Sequence, residues 1–274
     1  MVIPAKFLSY DLNHFSPSQA NIPLDQYVYK YLYCSQEERR AFKTSAKMHA
    51  GNQVGYGIEK WLTLGEEYRP KTMSTFLTSD PKETEQHQQN AQGFQETLLN
   101  VYRGLKEIGV NDDIDKRFEQ YVSGEFDGVH IPVIGRTDIE TKRFVVELKT
   151  KWRVRGAMKK DGTRSYSRSR VPEKPDINHL KQLAFYHTFK PKVKSFLLYV
   201  CEREENGYKI FDIEEHDPKQ LMHEFRQKLI VKQNVAMCED PRSFVEPDFS
   251  HYGWNIGDEY LNKAKEYYGF TKKN

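Results

Sequence analysis

Long apolar runs, paired cysteines and a strong excess of one charge are all missing from this 274-residue chain. The longest apolar stretch, Phe196-Leu-Leu-Tyr-Val-Cys201, has the length of a strand, so no membrane-spanning helix is expected. Only three cysteines occur (Cys34, Cys201 and Cys238), far apart and with no C-x-x-C pair. That usage argues against a structural zinc or a four-cysteine iron–sulfur cluster supplied by this chain alone, and it suits a reducing compartment. The opening Met1-Val2-Ile3-Pro4-Ala5-Lys6 carries no signal-peptide pattern, so a cytoplasmic location is expected. Apolar residues make up 38%, so 17 tyrosines and 16 phenylalanines must build the core together with the aliphatics. A net charge of +3 says little about partners until its distribution is considered.

Read along the chain, Ser16-Pro17 marks a helix start, with Ser16 as N-cap and Leu24, Tyr27, Val28 and Tyr31 continuing it. Residues 37–61 are helical in composition, 78–90 form a polar loop, and 91–109 form a helix ended by Gly109. Residues 118–140 give two strands with a turn at Asp127-Gly128, and 144–150 give a third. A basic loop follows, then a helix over 176–189 capped by Asp176. Strands over 193–202 and 208–213 meet at Asn206-Gly207, and helices over 217–238 and 256–268 end the chain. No internal repeat is present. The order predicts one α/β domain: a mixed sheet at 116–215, a helical N-terminal part at 1–115 and C-terminal helices at 216–274. Trp254 and residues 260–268 read as packing residues rather than a partner surface.

Chemistry concentrates in Gly135-Arg-Thr-Asp138 and Glu147-Leu-Lys149. Side chains alternate along a strand, so Glu147 and Lys149 share one face while Val146 and Leu148 share the other. If Glu140-Thr-Lys-Arg143 is a hairpin link, Asp138 lies beside Glu147. Two carboxylates so close repel unless a cation lies between them, and Mg²⁺ takes such oxygen ligands. An isolated E-x-K is often only the solvated face of a hairpin; the Gly-x-x-Asp strand before it favours the site.

Other features surround this pair. Gln182 and Tyr186 stand one turn apart on the 176–189 helix, with His179 on the same side. Gly55 and Glu59 are likewise four apart; Gly55 leaves room for a backbone to approach, and Glu59 would add a third carboxylate. His49 competes for that place, but it lies ten residues earlier, roughly 15 Å along a continuous helix. From Lys151 to Lys174 the chain carries Lys151, Arg153, Arg155, Lys159, Lys160, Arg164, Arg168, Arg170 and Lys174 against Asp161 and Glu173. Such a block is the footprint of a polyanion track, although solvated linkers share the composition.

Taken in order, Ser16-Pro-Ser18, Gly51-x-x-x-Gly55-x-x-x-Glu59, Gly135-x-x-Asp138, Glu147-x-Lys149 and Gln182-x-x-x-Tyr186 resemble the PD-(D/E)XK nucleases. Within them the pattern is most similar to the RecB-type exonucleases, a group that includes phage exonucleases and the mitochondrial genome maintenance exonuclease. The resemblance spans about residues 10–215. It implies a restriction-endonuclease-like mixed sheet, one or two Mg²⁺ or Mn²⁺ ions, and hydrolysis of DNA phosphodiesters at single strands or ends, in recombination, replication or DNA degradation. It also implies a bacterial or phage-infected cell. Asp138, Glu147, the Leu148 carbonyl and Glu59 would hold metal, Lys149 would act on the attacking water or the developing charge, and Gln182 and Tyr186 would steady the substrate. Ser16, Arg136, Lys151, Arg153 and Arg155 are the expected DNA contacts, with Tyr166 a candidate to stack on a base. One position departs: many members place a metal-binding histidine where this chain has Gly55. An endonuclease of the same chemistry and a non-cleaving DNA-binding module remain as alternatives.

Overall fold

The computed structural model describes residues 3–42 and 44–270. Its fold is mixed α/β, as expected: a five-stranded mixed sheet flanked by helices, with a helical N-terminal part. The strands are β1 (Arg117–Gly124), β2 (Val133–Glu140), β3 (Phe144–Lys151), β4 (Val154–Met158), β5 (Arg164–Ser167), β6 (Lys194–Cys201) and β7 (Tyr208–Asp212). The sheet order is β1-β2-β3-β6-β7, with β4 and β5 forming a separate two-stranded ribbon. The helices are α1 (Ala5–Ser9), α2 (Pro17–Asn21), α3 (Leu24–Tyr27), α4 (Gln36–Ala41), α5 (Ala46–Leu64), α6 (Pro81–Ile108), α7 (Ile177–Phe189), α8 (Pro218–Met237) and α9 (Asp258–Tyr267).

The chain divides into two compact units. One comprises Met1–Thr44, Val122–Gly135 and Lys219–Asn274; the other comprises Ser45–Tyr121 and Arg136–Pro218. In the first, Ser16 caps α2 through a reciprocal capping box with Gln19. The helix expected to run on to Tyr31 is broken after Asn21, because Pro23 lacks the N–H that continuation needs; it resumes at Leu24 and runs on through a π-helical stretch, Val28–Tyr33. Trp254 is buried with Tyr29, Cys34, Ile256 and Ala264, and its indole N–H donates to Asp25 Oδ2 at 3.1 Å.

The helix expected over 37–61 is interrupted after α4, which belongs to the first unit; the second begins at Ser45, the N-cap of α5. Helix α6 begins ten residues earlier than expected, where Asp80 accepts from the Lys82 N–H and Pro81 occupies the first turn. Val54, Ile58, Phe94, Leu98, Val101 and Leu105 of α5 and α6 pack on Ile139, Val146, Leu198 and Val200. That core covers one face of the sheet. Strands β3 and β6 are parallel and joined through α7, with Glu147 opposite Leu197 and Lys149 opposite Tyr199. No described helix is long and apolar enough to cross a membrane.

Candidate active site

Alternation along β3 sends Val146 into the α5–α6 core and leaves Glu147 and Lys149 on the opposite face. Strands β2 and β3 are antiparallel, with Ile139 opposite Val146 and Glu140 opposite Val145. One residue further along each strand stand Asp138 and Glu147. Asp138 Oδ2 accepts from the Leu148 N–H at 2.7 Å, so a carboxylate takes a backbone donor of the neighbouring strand. The motif's first acid is thereby fixed beside its second.

Lys149 Nζ donates to Glu147 Oε1 at 2.6 Å and to Gln182 Oε1 at 3.2 Å. Gln182 Nε2 donates to Tyr186 Oη at 3.1 Å, which in turn donates to the Arg136 carbonyl at 2.9 Å. One network thus joins β3, α7 and β2. The side chain of Glu147 is 2% exposed and that of Lys149 is 24% exposed. Glu147 Oε2 is buried without a hydrogen-bond partner.

The electrostatics follow from that burial. Desolvation raises the Asp138 carboxyl well above its ordinary range, and the neighbouring Glu147 raises it further against the opposing pull of Lys149. Glu147 is also raised, by burial first, with Lys149 holding it back. Burial alone would lower Lys149, but Glu147 and Asp138 together outweigh it and raise the ammonium. Lys149 is therefore charged at neutral pH. His179 is pulled down to about 4 by burial and then by Lys149, so it is neutral; its Nδ1 lies 2.7 Å from Tyr199 Oη. Tyr199 Oη also accepts the Asp176 N–H at 3.0 Å, which ties the start of α7 to β6.

Glu59 and His49 are not brought to this cluster. Both lie on α5, whose Val54, Ile58 and Trp61 pack in the core that holds Val146, and a Cβ on Gly51 would meet Thr150 Oγ1 at 3.2 Å. Helix α5 therefore covers the face of β3 opposite Glu147 and Lys149. His49 packs instead against Phe76 and His87, at ring distances of 5.1 and 5.4 Å. Open space surrounds Gly55, with no atom within 4 Å of an added Cβ. Among the described residues, no group of three or more His, Cys, Asp or Glu side chains is arranged to hold a metal.

The expected DNA contacts divide in the same way. Arg153 Nε forms a two-pronged bond to the Glu202 carboxylate at 2.8 and 2.9 Å, and Arg155 pairs with Glu85 at 2.9 Å. Both charges are compensated internally, which removes them from the exposed track. Arg136 is exposed and paired with Glu119, and Lys151 Nζ lies 5.4 Å from the centre of the Tyr199 ring. Ser16 belongs to the other unit, where its side chain serves as a helix cap. Tyr166 is half-buried, with its hydroxyl enclosed.

Two residues near the site have no motif of their own. Glu119 on β1 adds negative charge that raises both Asp138 and Glu147. Tyr199 sits opposite Lys149 in the parallel register, and only the β3–β6 pairing could have pointed to it.

No protein-family model matches the sequence, and no curated protein matches it. Among solved structures the chain is similar to a candidate exonuclease from Eubacterium rectale, at 13% identity and a TM-score of 0.49, covering 90% of this chain and 95% of that one. It is also similar to the protein SSO0001, at 17% identity and a TM-score of 0.31, covering 57% of this chain and 70% of that one.

Proposed function

We propose that the chain is a metal-dependent DNA exonuclease of the PD-(D/E)XK type. The observation that carries this reading is a pair of adjacent carboxylates, the half-buried Asp138 and the buried Glu147, the latter with one unpartnered oxygen, beside a charged lysine. A buried carboxylate oxygen without a donor costs free energy of about 1–3 kcal/mol or more, and a divalent cation relieves that cost. The donor set fits such an ion: Asp138, Glu147 and the Leu148 carbonyl are the residues that would hold Mg²⁺ or Mn²⁺. Bound there, the ion supplies charge to the scissile phosphate and acidity to its water.

The chain's own residues set the rest of the chemistry. Lys149 is held as an ammonium by Glu147 and Asp138, so it stabilises developing negative charge rather than serving as the resting base. Gln182 aims that ammonium by accepting one of its hydrogens, and Tyr186 fixes Gln182 against the Arg136 carbonyl. Arg136, exposed beside the site, can exchange Glu119 for a phosphate oxygen.

The test is hydrolysis of end-labelled linear DNA and of closed circles, single-stranded and duplex, with Mg²⁺, Mn²⁺ or EDTA. Metal-dependent loss of linear DNA alone is the expected result. Cutting of circles reassigns the chain to the endonucleases, and binding without cutting in either metal reassigns it to a non-cleaving module.

A further inference from the structure

The basic segment after Lys151 is not a loop but a ribbon. β4 and β5 pair antiparallel, Val154 opposite Ser167 and Arg155 opposite Tyr166, with an irregularity before Met158. The tip is tight: the Lys159 N–H donates to the Thr163 carbonyl at 2.7 Å, and Gly162 N–H to the Lys159 carbonyl at 3.1 Å. Asp161 Oδ1 accepts from the Thr163 N–H at 2.9 Å and its hydroxyl at 2.6 Å, and Gly162 takes the left-handed φ of +80° that the turn requires.

A two-stranded ribbon is barely stable alone, and this one is clamped at its base. Arg153 is bonded to Glu202, Gln89 and Gln92, Arg155 to Glu85, and Arg203 Nε donates to the Ser169 carbonyl at 2.8 Å. The compensated arginines thus hold the root, while free charge lies at the tip, on Lys159 and Lys160, and just after β5, on Arg168 and Arg170. Over 156–170 there are five basic residues against one acidic, and Lys159, Lys160, Arg168 and Arg170 are exposed. No ion pair involves these four among the described residues.

From this we infer that the β4–β5 ribbon is a duplex-DNA arm that grips the double-stranded region next to the strand end presented to Asp138, Glu147 and Lys149. The inference rests on the nuclease reading for the identity of the site, but the ribbon's own properties choose the ligand. A phosphate backbone complements the charge. Single strands are held largely by stacking on aromatic rings, and the arm offers little of it: its one ring, Tyr166, is half-buried with its hydroxyl enclosed, Trp152 at the root is 4% exposed, and the exposed large apolar side chains are Val154 and Met158. A two-stranded ribbon fits the roughly 12 Å major groove of B-form DNA. The deep, narrow major groove of A-form RNA does not admit it.

The experiment is anisotropy titration in EDTA of a labelled 20-base-pair DNA duplex, the matching 20-nucleotide strand and an RNA duplex, between 50 and 200 mM salt. The variants are Lys159→Gln/Lys160→Gln/Arg168→Gln together and, in the opposite direction, Ser167→Lys. For the triple variant the duplex-DNA salt slope should fall by about 0.9 for each phosphate left without its cation, roughly 2.7 in all, and Ser167→Lys should steepen it by about 0.9. Slopes unchanged in both variants overturn the arm. Equal losses for single strands or RNA overturn its duplex selectivity. Because binding is read without metal, the two readings fail separately. A wild type that cuts nothing yet shows arm-dependent duplex binding loses the nuclease and keeps the arm, and cutting with unchanged slopes does the reverse.

Discussion

Magnesium should stabilise this protein strongly at pH 8 and weakly at pH 5, and the reason lies in two carboxylates. Asp138 and Glu147 both titrate higher in the folded chain than in the unfolded one, chiefly through burial. From about pH 4, where free carboxyls titrate, up to those raised values, the folded chain holds protons that the unfolded chain has released. Metal-free stability from this pair is therefore full below the unfolded values and is lost as pH rises through the folded ones. A divalent cation at the same oxygens replaces the protons and restores the loss. At a hundredfold excess over its dissociation constant, such an ion stabilises by about 2.7 kcal/mol.

The melting shift depends on how much chain unfolds together. With an unfolding entropy of about 2.1 cal/mol/K per residue, a cooperative 274-residue chain shifts by roughly 5 °C. If the unit of about 160 residues that carries the site melts alone, the shift is roughly 8 °C. At pH 5 the ion must displace protons, so the shift shrinks. Differential scanning fluorimetry across pH 5–8, with Mg²⁺, Mn²⁺ or EDTA, reads this directly. Asp138→Asn and Glu147→Gln should abolish the shift and lessen the metal-free loss at high pH. A shift that survives in both variants, or that is the same size at pH 5, would refute the reasoning and place the ion elsewhere.

Three further outcomes are expected. Lys149→Met leaves Glu147 buried beside Asp138 without its cation and removes the charge that stabilises the transition state, so cleavage should fall by about 10²–10³-fold while DNA binding is retained; undiminished turnover would remove Lys149 from the chemistry. Arg153→Ala strands the 3% exposed Glu202 and should cost about 3–5 kcal/mol in urea unfolding, with no change in the salt slope of DNA binding. A reduced slope at unchanged stability would return Arg153 to the DNA track. Glu59→Ala should keep both the Mg²⁺ melting shift and cleavage to within about threefold, since α5 packs on the other face of β3; loss of the shift would make Glu59 a ligand.

What could be read in the sequence and what could not separate by the range of the interaction. Alternation within β3 is local, so the common face of Glu147 and Lys149 followed from the residues alone, and the short 141–143 link was enough to bring Asp138 alongside. The helical spacing of Gln182 and Tyr186 was equally local, and α7 carries both into the lysine's network. The Asp80-Pro81 start of α6 was written in the chain too, but its polar first turns obscured it. The partners of Arg153 and Arg155 were not legible, because Glu202 lies 49 residues from one and Glu85 lies 70 from the other. A run of basic residues gives its charge but not which charges the fold will neutralise. The same holds for Glu59: its helical spacing from Gly55 was plain, but only the packing of Val54 and Ile58 against Val146 decides which face of the sheet α5 covers. Spacing within one strand or one helix therefore tells which side chains share a face, whereas the tertiary packing decides what that face meets.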